Sequence, residues 1–111
     1  MAQIIYIIPA FNPPHIIHQL VNQLRVLTSE PILIVDDGST DDHHDVFTSI
    51  ALVQNVSVLY HAVNLGKGAA LKMAFNHALV HFPDAIGCVT LDADGQHEPE
   101  DAIAIAETLN N

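Results

Sequence analysis

The chain reads as a three-layer α/β domain, an open and mostly parallel sheet with helices on both faces. Three observations carry that reading. Short continuous apolar runs recur, of the kind required by strands buried on both faces. Between them the apolar residues fall at helical spacing. Gly, Pro, Asn and Asp punctuate the changes of period, so each strand-like run is followed by a helix-like one, and successive strands need right-handed crossovers.

Taken in order, Ile4-Ile5-Tyr6-Ile7-Ile8 is the first strand, and its unbroken apolarity makes it central. Asn12, Pro13 and Pro14 then start a helix that keeps Ile17, Leu20, Val21, Leu24 and Leu27 on one stripe and ends near Thr28. A second strand, residues 32–35, stops in the turn Asp36-Asp37-Gly38. Ser39 and Thr40 offer an N-cap, Asp41 and Asp42 fill the first helical turn, and a short helix follows through Val46, Phe47 and Ile50. The third strand covers residues 56–60. Gly66-Lys67-Gly68 opens a helix expected to turn Leu71, Ala74, Phe75, Ala78 and Leu79 inward; residues 86–91 form the fourth strand, and Pro99 starts the last helix.

A length of 111 residues leaves room for one domain, spanning residues 1–111, and its 50% hydrophobic but only 5% aromatic composition suits a core of aliphatic layers. Three basic residues against thirteen acidic ones give a net charge of −10, which excludes the cationic patch that nucleic acid or an anionic lipid surface would need. No run approaches the roughly 18 apolar residues of a membrane helix. The apolar start lacks a positive leader and is broken by Pro9, so it is a strand rather than a signal peptide and implies a cytoplasmic location. The lone Cys88 reads as a small buried core residue.

Ten of the thirteen acids sit in two clusters just past strand ends: Asp36, Asp37, Asp41, Asp42 and Asp45, then Asp92, Asp94, Glu98, Glu100 and Asp101. Ligands of open α/β sheets bind at that edge. In Asp92-Ala93-Asp94, residues two apart on an extended segment project to one side, and Gly95 lets the chain turn after them. Two carboxylates a few ångströms apart repel by about 4 kcal/mol at an effective dielectric near 20, which a shared Mg²⁺ or Mn²⁺ relieves. Such an ion would also let an acidic protein hold a diphosphate, from a nucleotide sugar or a nucleoside triphosphate.

Four segments, Ile8-Pro9-Ala10-Phe11-Asn12, Ile34-Val35-Asp36-Asp37-Gly38-Ser39-Thr40-Asp41, Asn64-Leu65-Gly66-Lys67-Gly68-Ala69-Ala70 and Leu91-Asp92-Ala93-Asp94-Gly95-Gln96-His97, resemble in order the motifs of family 2 glycosyltransferases, in particular the dolichol-phosphate-mannose-synthase-like branch. The resemblance implies a Rossmann-like GT-A fold, a nucleotide-diphosphate sugar donor, and an inverting transfer to a lipid-phosphate or glycan acceptor. It implies that Pro9, Phe11 and Asn12 line the nucleoside, and that Asp37, with Asp36 beside it, hydrogen-bonds the base or ribose. Lys67, where a loop becomes a helix, would meet phosphate or ribose. Asp92 and Asp94 would hold the metal and diphosphate, and Gln96 would complete the metal shell. Turn and capping chemistry for Asp36-Asp37, and a solvated lysine between packing glycines, are the structural alternatives.

No residue of the chain takes the role of general base, which in this family lies downstream of the acidic triplet, beyond Asn111. The chain therefore reads as an apparently truncated, donor-binding half that pairs with a second copy, with any membrane attachment in an absent continuation. A non-catalytic nucleotide-binding or assembly module is the alternative. Of the eight histidines, His77 and His81 stand four apart without a third zinc ligand at conventional spacing, and His97 is the one expected near the site. A phosphoacceptor receiver fails because no lysine follows Lys72, and a P-loop fails because His61 and Gly68 occupy its Gly and Ser/Thr positions. A dinucleotide fingerprint is partly met by Gly66 and Gly68, with Leu71 in place of the third glycine.

Overall fold

The computed structural model describes residues 3–94 and 98–110. The elements run β1 (Gln3–Ala10), α1 (Ile16–Leu27), β2 (Ile32–Asp37), a 3-10 turn (Asp41–His43), α2 (His44–Ala51), β3 (Val56–His61), α3 (Lys67–His81), β4 (Ala85–Thr90) and α4 (Pro99–Asn110). All strand pairs are parallel, in the order β3-β2-β1-β4.

Strand alternation divides the core into two layers. Ile4, Tyr6, Ile8, Ile32 and Ile34 face Ile17, Leu20, Val21 and Leu24 of α1, Phe47 and Ile50 of α2, and Ala102 and Ala106 of α4. On the opposite face Ile5, Ile7, Leu33 and Val35 meet Ala70, Ala74 and Ala78 of α3. The three-layer, parallel α/β expectation therefore holds. From β1 to β3 the chain steps across the sheet in one direction with its helices on one face; the return step to β4 carries α3 on the other. Constant crossover hand demands that exchange of face with direction. The reversal falls between β1 and β4, so a crevice opens at their C-terminal ends.

Several element limits move, each for a local reason. β1 continues through Pro9 to Ala10, pairing with β2 as far as Asp36. The Leu91 amide donates to the Ile7 carbonyl, so Ile7 faces β4; two residues on, Pro9 faces the same side beyond the last β1–β4 pair at Thr90, where no ladder donor is needed. β2 likewise runs on through Asp36 and Asp37, both buried, so these are strand residues and the turn begins at Gly38. Thr40 is the N-cap residue of the 3-10 turn, without a side-chain capping bond, and Asp41 and Asp42 fill that turn; α2 itself follows directly, with His43 as its N-cap. Leu27 lies 42% exposed at the end of α1 rather than on its buried stripe.

The largest departure is on α3. Phe75 and Leu79, expected inward, are 40% and 78% exposed. Ala70, Ala74 and Ala78 hold the sheet-facing stripe instead, small side chains that let the helix approach closely, and the larger residues are displaced toward β4. Cys88 on β4 is half-buried, and that burial raises its thiol pKa. Among the described residues no helix is long and apolar enough to cross a membrane.

Candidate functional site

Two loops meet beyond the C-terminal ends of β1 and β2. Asn12 adopts a left-handed backbone, φ 43°, which asparagine tolerates better than most residues. Its amide donates to Ser39 Oγ at 2.9 Å, while its Oδ1 accepts from the Thr40 amide at 2.9 Å and the Thr40 hydroxyl at 3.2 Å. Asp36 Oδ1 accepts from the Ser39 amide at 2.9 Å. Asn12 and Asp36 are thus engaged in fastening the β1–α1 loop to the β2–α2 loop. Thr40 also hydrogen-bonds Asp42, which holds that carboxyl below the ordinary aspartate value.

Asp37 is 3% exposed and its carboxylate is bracketed by the β3–α3 segment. Oδ1 accepts from His61 Nδ1 at 2.8 Å and the Leu65 amide at 2.9 Å; Oδ2 accepts from the Gly66 amide at 2.9 Å and Asn64 Nδ2 at 3.3 Å. Burial alone would push this carboxyl up, but the hydrogen bonds from His61, Leu65 and Gly66 outweigh it and hold the pKa below the usual value. Gly38 lets the same segment approach. With φ +74° and a position where a Cβ would stand 2.1 Å from the Val63 carbonyl carbon, no other residue fits.

Pro9, Ala10, Phe11, Asp37, Asn64, Gly66, Lys67, Ala70 and Asp92 line one cleft of about 170 Å³ at the crevice between β1 and β4. Five expected site residues, Pro9, Phe11, Asp37, Lys67 and Asp92, are therefore brought together; Asn12 and Asp36 lie outside the lining. Lys67 Nζ donates to Asp92 Oδ1 at 2.9 Å. Of the three cations it alone lines the cleft. Arg25 binds the carbonyls of Thr28, Glu30 and Gln54, next to the starts of β2 and β3. Asp94 stands exposed, and residues 93–94 form a turn rather than a continuation of β4. Gln96 and His97 lie outside the described residues. Among those described, no three His, Cys, Asp or Glu side chains converge as metal ligands. His77 and His81 stack with ring centroids 4.2 Å apart, and burial together with His81 lowers the His77 pKa.

The sequence model of glycosyl transferase family 2 matches residues 6–111. The chain belongs to glycosyltransferase family 2. Within the family it is 37% identical over 107 residues to the uncharacterized protein MJ1222 of Methanocaldococcus jannaschii, covering 96% of this chain and 42% of that protein. It is 32% identical over 118 residues to the UDP-N-acetylglucosamine–dolichyl-phosphate N-acetylglucosaminyltransferase of Methanococcus voltae, covering 95% and 46%. This family 2 chain thus spans less than half the length of these relatives. In fold it is similar to residues 1–349 of S. aureus TarS, with a TM-score of 0.65 at 19% identity, covering 97% of this chain and 32% of that one. Within the matched stretch, Pro9, Phe11, Asp37, Asn64, Gly66, Lys67 and Asp92 line the cleft. Sequence reasoning missed His61 and Asn64 as partners of Asp37. His61 stands opposite Asp37 in the β2–β3 register, a pairing visible only once strand alignment is known.

Proposed function

We propose that the crevice between β1 and β4 takes the nucleotide-diphosphate part of a sugar donor, for inverting, metal-dependent transfer to a lipid-phosphate or glycan acceptor. The supporting observation is the convergence of Phe11, Lys67 and Asp92 on one cleft at the switch point of the sheet. Phe11 is half exposed there and offers an apolar surface to a nucleoside. The Methanococcus voltae relative, whose name gives a nucleotide sugar and a dolichyl phosphate, supports the acceptor class.

Carboxylate oxygens are the ligands Mg²⁺ and Mn²⁺ favour, and Asp92 already holds a cationic group, the Lys67 ammonium. Asp92 and Asp94 would bind the metal, with Gln96 a third ligand by resemblance. When bound, such an ion supplies neutralisation of the diphosphate charge and of the departing nucleotide. Lys67 would orient the same charge from the start of α3, and Pro9 and Ala10 contribute apolar lining to the cleft.

Calorimetric titration of UDP- and GDP-sugars with and without Mn²⁺ tests this reading. Wild-type protein is expected to give metal-dependent heat that Asp92→Asn and Asp94→Ala each reduce about tenfold or more in affinity, the loss of one charged ligand. Flat traces for all three reject the donor site. They would favour an assembly role, for which the exposed apolar residues Phe75, Leu79 and Ile86 speak.

Lys67→Ala gives a second, signed expectation. The Lys67–Asp92 pair is partly exposed, 62% and 32%, so its loss changes stability by less than about 1 kcal/mol. The ammonium competes with a dication for Asp92 but attracts diphosphate. Mn²⁺ alone should therefore bind the variant more tightly and nucleotide with Mn²⁺ more weakly; both moving the same way would contradict the assignment.

A further inference from the structure

His61 carries no role in the reading above, yet it is the side chain that fixes the one carboxylate on which the β3–α3 segment hangs. It is the last residue of β3, paired in register with Asp37 at the end of β2. Both side chains are nearly enclosed, 11% and 4% exposed, and Nδ1 lies 2.8 Å from Oδ1. An ionised carboxylate offers only acceptors, so the proton must sit on Nδ1. With that bond made, the carboxylate cannot rotate freely. Its two oxygens then meet the successive amides of Leu65 and Gly66 at 2.9 Å each.

What those two amides position follows from the chain. Gly66 is the N-cap of α3, at φ 98° and ψ 160°, and its carbonyl accepts from the Ala70 amide in the first turn. Lys67 comes next and reaches Asp92. Fixing Leu65 and Gly66 therefore fixes both the start of α3 and the root of the one cation in the cleft.

We propose that His61 is a positioning residue of the donor site: by orienting Asp37 onto Leu65 and Gly66 it sets Lys67 where a nucleotide's diphosphate is met. The inference rests on the donor reading and adds the part that orders the site. His61 itself lies outside the cleft lining and contacts no ligand in this scheme.

The test uses the whole chain with His61→Ala and His61→Asn. An asparagine amide can place an N–H near the position of Nδ1 and so should restore the bond to Asp37; alanine cannot. Two quantities are read: hydrogen exchange at the Leu65 and Gly66 amides without ligand, and calorimetric affinity for UDP and GDP with Mn²⁺. His61→Ala is expected to speed exchange at both amides and weaken nucleotide binding, each about tenfold, as for loss of a hydrogen bond to a charged group. His61→Asn should return both to within about threefold of wild type. Undiminished nucleotide affinity in His61→Ala overturns the proposal alone, leaving the donor site standing. Equal losses in the alanine and asparagine variants overturn it as well, since an effect of the imidazole beyond its Nδ1–H is then required. Wild-type protein that binds neither nucleotide overturns the donor reading and this inference with it.

Discussion

Gly38→Ala is expected to be among the most damaging single methyl additions in the chain, destabilising it by about 3–4 kcal/mol. The left-handed backbone at φ +74° accounts for roughly 1–2 kcal/mol of this in any non-glycine residue. The remainder comes from overlap. A Cβ would lie 2.1 Å from the Val63 carbonyl carbon and 2.3 Å from the Asn64 nitrogen, which are backbone atoms with no rotamer to escape into. The segment 63–66 must retreat, and with it the Asn64, Leu65 and Gly66 donors that hold Asp37. Gly66→Ala supplies the control. Its φ is +98° but nothing lies within 4 Å of the added carbon, so it should cost only the backbone term, about 1–3 kcal/mol. Urea denaturation of the two variants decides the matter: a midpoint for Gly38→Ala no lower than for Gly66→Ala would mean that the close approach of Val63 is not a feature of the folded protein.

That contrast also marks what the sequence made legible. Runs such as residues 4–8 and 32–35 are apolar without interruption, so burial on both faces and a parallel sheet could be read directly. Ala70, Ala74 and Ala78 lie four apart and could be read as a helix stripe, but not that they would exclude Phe75 and Leu79 from it. Which of two neighbouring stripes faces a sheet depends on the space left by the opposing strands, a tertiary quantity. At the site, Asp92 was legible because its acidic segment follows a strand end at one sheet edge, and Lys67 because a rare cation stands where a loop becomes a helix; Phe11 was implied by the family resemblance alone. Asp36 and Asp37 look equivalent in sequence. In the fold one caps its own loop through the Ser39 amide and the other receives a segment from 28 residues away through Leu65, a division set by strand alternation and by register with β3. His61 belongs to the same class of hidden partner.

Asp37→Asn should show how much the bracket contributes and over which pH range. At neutral pH the carboxylate accepts four hydrogen bonds in a nearly water-free setting; an asparagine turns one acceptor into an N–H that must face other N–H donors. Loss of hydrogen bonds to a buried charge, with donors left unsatisfied, predicts a cost of about 2–3 kcal/mol at pH 7. The pH dependence has a fixed sign because the folded carboxyl has a pKa below its ordinary value. Such a group stabilises the fold above the unfolded pKa, near 3.9, and the contribution fades as pH falls through that value toward the folded one. Wild type and Asp37→Asn should therefore differ most between about pH 5 and 7 and converge below about pH 4, as the wild type loses what the variant never had. Urea unfolding across that range reads the difference directly. A gap that stays constant from neutral to acid pH would mean that the carboxylate is not held charged by His61, Leu65 and Gly66, and the positioning of Lys67 through it would lose its physical basis.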